Sequence, residues 1–140
     1  MVVRFDVVQR KIGRASAWLG DAETILTRSA DEFLKDVKER DLASFYLFLA
    51  IQEAIDLASH WVADENWGSP DDAGSTFLVL ADRRAIDREL AERMRDAVGL
   101  RNLIAHGYSL VDHARLHREY KEGVANLRRF FAAVSLKAGL

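Results

Sequence analysis

No cysteine occurs in this chain, and its 140 residues include a single proline, Pro70, and eight glycines. The missing thiols exclude both a disulfide framework and a zinc knuckle, and suit the reducing cytoplasm. So little proline and glycine leaves few places where a helix must stop. A long unbroken apolar run is also lacking. The most apolar stretch, residues 45–62, is interrupted by Glu53, Asp56 and His60, so a membrane span is not expected. Residues 1–6 lack the apolar core of a signal peptide. Without a Gly-rich phosphate loop or a G-x-S-x-G elbow, the chain is expected to be neither a nucleotidyltransferase nor a serine hydrolase.

The residues that are present describe one globular domain spanning 1–140, with 49% hydrophobic and 30% charged side chains. The net charge of −2 argues against a protein that coats nucleic acid. Charge is unevenly placed, however. Residues 101–140 hold seven Lys/Arg against three Asp/Glu, together with three of the four histidines. Such a patch can attract a polyanion or an acidic protein, or it can simply neutralise acidic neighbours within the fold.

Helix formers dominate, and five helices with no strand are expected. They run from about Phe5 to Arg28, Ala30 to Asp64, Ser75 to Ala81, Asp87 to Ala105 or His106, and from after Asp112 to Lys137. Ser29 and Glu32 form an S-x-x-E capping box at the second start, and Asp87 is an N-cap for the fourth. The last helix carries Leu116, Tyr120, Val124, Leu127, Phe131 and Val134 at spacings of three and four, an amphipathic stripe. Long helices on short connections give an all-α, five-helix up-and-down bundle.

The fourth helix contains an anomaly. Its apolar stripe is Leu90, Met94, Ala97, Val98 and Ala105, and at about 100° per residue Arg101 falls near the middle of it. A cation on a packing face needs a carboxylate, a subunit boundary or a bound anion. Glu53 and Asp56, on one face of the second helix with His60, are the expected carboxylates. His106 follows Arg101 by five positions, about 140° around and 7.5 Å along the axis, so the two are not neighbours on one straight helix. Either the helix unwinds at Gly107, or two copies meet about a two-fold axis and share a cleft, and the shared cleft is favoured. Gly107 also suits a left-handed helix end, where a histidine interacts well with the dipole. Arginine grips phosphate through paired hydrogen bonds, and histidine exchanges a proton near neutral pH. Two His106 side chains could therefore share the acid and base work of RNA cleavage while Arg101 steadies the phosphate. Asn102 is a secondary candidate for contact with the phosphate.

Arg101-Asn102-Leu103-Ile104-Ala105-His106-Gly107-Tyr108 reads R-x4-H-x-Y, and Leu49 to His60 reads LAIQEAIDLASH. With these two stretches and its five-helix plan, the chain resembles HEPN-domain proteins of the HepT type over nearly its whole length. The resemblance implies the toxin half of a bacterial toxin–antitoxin pair: a homodimeric, metal-independent endoribonuclease with Arg101 and His106 in a cleft between protomers. It also implies a cognate MNT-type nucleotidyltransferase as antitoxin, which would attach AMP to Tyr108. No cofactor and no metal are expected, and RNA is the substrate.

Other constellations are weaker. His113 and His117 stand one turn apart, but the residues between them lack the Glu of H-E-x-x-H, so a solvated basic face is the simpler reading. Trp61 and Trp67 could stack on bases, though core or loop anchors are commoner. Two functional alternatives stay open: a non-catalytic substrate-binding subunit of a nucleotidyltransferase, and a plain dimeric scaffold.

Overall fold

In the computed structural model, which describes residues 5–139, six α-helices and a short 3-10 turn follow one another without a strand. They are α1 (Phe5–Leu26), α2 (Ala30–Lys35), α3 (Val37–Asp64), α4 (Ala73–Asp82), α5 (Arg88–His106) and α6 (His113–Ala138). The 3-10 turn, Tyr108–Leu110, joins α5 to α6. The reading of the chain's first residues as lacking a leader falls mainly on 1–4, outside the described residues.

The all-α bundle is as expected, but its second helix divides in two at Asp36. There the backbone leaves helical geometry at φ −88°, ψ 83°. The Asp36 carboxylate accepts from the Glu39 amide and is held by Arg28 at 3.1 Å. Asp36-Val37-Lys38-Glu39 thus repeats the capping pattern seen at Ser29, whose hydroxyl accepts from the Glu32 amide. Asp87 occupies the N-cap of α5 as expected, without a side-chain capping bond.

α3 is the central element. It packs against α1, α2, α4, α5 and α6. The core along it includes Leu47, Ile51, Ala54, Leu57, Ala58, Trp61 and Val62, met by Leu19 and Leu26 of α1, Met94 and Val98 of α5, and Val124, Leu127 and Val134 of α6. Phe77 of α4 and Phe130 of α6 meet edge to face at 5.1 Å, both fully buried. Each buried aromatic contributes roughly 1.5–3 kcal/mol in apolar burial. Among the described residues α3 is the one helix long and apolar enough to cross a membrane, yet most of its apolar window, 56%, lies inside the bundle.

Candidate functional site

The last turns of α5 and the 3-10 turn lie beside the first turns and the middle of α3, and the motif residues take different partners there. Arg101 is half-buried on α5, on the inward stripe that its spacing predicts. Its guanidinium NH1 donates to Oε1 of Gln52 at 3.1 Å, and its Nε is buried without a partner. Gln52 in turn donates through Nε2 to Oδ1 of Asp56 at 3.3 Å. Among the described residues Arg101 forms no ion pair.

The two expected carboxylates therefore part company. Asp56 reaches Arg101 only through Gln52. Glu53, 8% exposed, faces α1 instead and is claimed by Lys11 at 3.2 Å and Arg14 at 3.1 Å. The reason is rotational: adjacent positions on a helix point about 100° apart, so only one of Gln52 and Glu53 can face α5. Gln52 was not singled out from the sequence. Its place one turn before Asp56, within the quoted Leu49–His60 stretch, was the available signal.

α5 ends at His106, so the chain does leave the helix at Gly107. That glycine has φ −149°, ψ 46°, not the left-handed conformation expected of it. Its N–H caps the helix by donating to the Leu103 carbonyl at 2.8 Å. The chain then tightens into the 3-10 turn, with Leu110 and Val111 amides donating to the Gly107 and Tyr108 carbonyls. His106 and Asn102 are exposed. Arg101 and His106 remain five positions apart on one helix, hence on different faces.

The 3-10 turn carries Tyr108 to α3. Its phenol donates to Oδ1 of Asp41 at 2.5 Å, and its ring meets the His113 ring edge-on at 5.4 Å. Arg40 holds the same carboxylate at 3.0 Å. Burial opposes the charge on Asp41, but hydrogen bonds from Tyr108 and Arg40 outweigh it and keep the carboxyl below its ordinary range. Burial, then the Asp41 hydrogen bond, pushes the Tyr108 phenol up. Burial, then the nearby Arg40 charge, lowers His113.

Asp41, Phe45, Phe48 and Gln52 recur at spacings of four, three and four, which puts them on one face of α3. The partners of Tyr108 and Arg101 thus bracket two phenylalanines whose rings stack at 6.3 Å. Phe45 is 51% exposed, Leu110 of the 3-10 turn 74%.

The remaining candidates resolve into structural roles. His117 Nε2 bonds the Arg28 carbonyl at 2.7 Å and its ring lies against Phe33, whereas His113 attends Tyr108, so the two do not converge. No cluster of three metal-binding side chains is formed among the described residues. Trp61 is buried, and Trp67 is half-buried beneath the Arg83 guanidinium.

Comparison with known proteins gives this geometry a context. Residues 17–134 match the family described as ribonuclease HepT-like. The curated mRNA nuclease HepT of Shewanella oneidensis is 25% identical over 108 residues, covering 77% of this chain and 75% of that protein. Among solved structures, the tri-AMPylated Shewanella oneidensis HEPN toxin in complex with MNT antitoxin superposes with a TM-score of 0.87 at 20% identity, covering 95% of this chain and 99% of that one. YutE, a cytosolic protein of Bacillus subtilis, has a TM-score of 0.78 at 14% identity, with coverage of 94% and 88%.

Proposed function

Because the chain belongs to the ribonuclease HepT-like family, we propose that it is the RNA-cleaving toxin of a toxin–antitoxin pair, restrained by a nucleotidyltransferase. The observation that carries this reading is the state of Arg101. A half-buried guanidinium bonded to a neutral carboxamide, with no carboxylate of its own, keeps its charge for an anion from outside. A phosphodiester meets that need.

The reaction follows from the residue types. A base takes the 2′-OH proton, the 2′-oxygen bonds to the neighbouring phosphorus, and the bond to the 5′-oxygen breaks. An acid returns a proton to that leaving oxygen, leaving a 2′,3′-cyclic phosphate and a 5′-hydroxyl. His106, exposed at the end of α5, takes the base role from one protomer and the acid role from its partner. Arg101 stabilises charge on the non-bridging oxygens, and Asn102 adds a contact to the phosphate. The second protomer is needed because Arg101 and His106 of one chain face different ways. The stacked Phe45–Phe48 pair, with Phe45 half in solvent, supplies a seam for that homodimer. Tyr108 is the acceptor of AMP. An added phosphodiester anion beside the cleft repels RNA. The protein acts in the cytoplasm, where RNA and the partner enzyme are found.

His106→Ala and Arg101→Ala are each expected to lower RNA cleavage at least about 100-fold, with unchanged circular dichroism and with wild-type cleavage persisting in EDTA. Full cleavage by clean His106→Ala protein would exclude the assignment. Loss of a partner's nucleotidyltransferase activity without any RNA cleavage by the wild type would favour the substrate-binding subunit instead.

A further inference from the structure

We propose that Asp41 is the proton acceptor when Tyr108 takes up a nucleotidyl group, so that the toxin supplies the base for its own restraint. This rests on the reading of Tyr108 as the AMP acceptor. Three observations carry it. The phenol hydrogen already points at Asp41 Oδ1, so the nucleophile and its acceptor are in contact before any partner binds. The Asp41 side chain keeps 42% exposure, leaving the pair open to an enzyme approaching from outside. Among the described residues Asp41 is also the one base in hydrogen-bond contact with the phenol: the neighbouring His113 touches only the ring edge, and its Nδ1 has no partner.

The phenol is a poor nucleophile as it stands, because burial and the adjacent carboxylate both disfavour its anion. A free phenolate is therefore not an intermediate. As the Tyr108 oxygen closes on the α-phosphorus of ATP, the O–H proton passes to Asp41. The bond from that phosphorus to the bridging oxygen breaks, and pyrophosphate leaves with the electron pair. A carboxylate of low basicity serves here as the aspartate of protein kinases does, accepting a hydroxyl proton that becomes acidic only as the new P–O bond forms. Arg40, at 3.0 Å, holds the acceptor ionised and in place. Once modified, the Tyr108 oxygen has no hydrogen to donate, and the Asp41 carboxylate confronts a phosphodiester anion. Like charge drives the AMP away from α3.

The test uses the full-length toxin, its cognate nucleotidyltransferase, ATP and Mg²⁺, with intact mass read over time. Asp41→Asn keeps an oxygen that can accept the phenol hydrogen bond but removes the base. It is expected to slow the first AMP addition about 100-fold at neutral pH, with complex formation by gel filtration and melting temperature near wild type. The deficit should narrow as pH rises toward the phenol's own ionisation. Any further AMP joined to a sugar hydroxyl of the first should be added at the wild-type rate. Asp41→Ser is a second variant read by the same criteria should Asp41→Asn fail to fold. A folded, partner-bound Asp41 variant modified at the wild-type rate overturns the role of Asp41 alone. A wild type that gains no mass, or Tyr108→Phe gaining as much as wild type, removes the parent reading and this one with it.

Discussion

A guanidinium held by a carboxamide differs in kind from one held by a carboxylate: both are oriented, but only the first still carries a net charge. Gln52 therefore orients Arg101 without neutralising it, and Asp56, bonded to the far side of the amide, fixes which way Gln52 points. Gln52→Glu tests this directly. A carboxylate at that position would pair with Arg101 and compete with the phosphate, so RNA binding should weaken about tenfold or more, as expected for losing a hydrogen bond to a charged group. The melting temperature should hold or rise. Unchanged affinity for a short RNA, measured by fluorescence anisotropy, would show that Arg101 does not meet the substrate. Helical spacing was enough to place Arg101 on the packing face, because periodicity is local. The partner was not legible: Gln52 and Glu53 are adjacent in sequence, and which of them faces α5 is settled by Lys11 and Arg14, some forty residues away, drawing Glu53 to α1.

At the scale of elements, the division of α2 from α3 does more than shorten a helix. It gives α3 its own start at Asp36, five residues before Asp41 and close to Arg28. Asp36→Ala removes both the cap and the Arg28 ion pair, and a drop of a few degrees in melting temperature is expected. The pH dependence has a definite sign. The Arg28 hydrogen bond, with the Glu39 amide, holds the Asp36 carboxyl below its ordinary value. Its contribution is thus complete above the unfolded carboxyl's range and fades as acid protonates it in the folded state. The melting difference between wild type and Asp36→Ala, followed by calorimetry from pH 7 downward, should shrink only in acid; a gap that is constant down to pH 2 would contradict it. The D-x-x-E pattern at Asp36 was present in the sequence. It was masked by Lys35, Val37 and Lys38, which continue the helical pattern on both sides. The end of α5 was legible at Gly107, but its geometry was not, because an irregular step followed by a 3-10 turn depends on Leu103 and Leu110 closing around the glycine.

For the whole molecule, the all-α bundle follows from composition and period. What those could not show is that α3 is apolar on more sides than one bundle covers. Phe45 and Phe48 belong to the most apolar stretch of the sequence, and in the fold Phe45 stands half in solvent. Such a surplus is what a homodimer seam requires. Phe45→Asp is expected to convert a dimer to a monomer in sedimentation and to abolish RNA cleavage, while leaving helicity intact. A monomeric wild type that cleaves RNA would remove the need for a shared cleft. α3 also grips both sensitive groups of the molecule, Arg101 through Gln52 and Tyr108 through Asp41, about three turns apart on one rigid rod. A sliding or tilting of that rod, which would hide the tyrosine from its jailer, would also misplace the arginine. On the roles proposed for Arg101 and Tyr108, harm and restraint share a mount, so variants that slip the leash by shifting α3 disarm themselves in the same movement.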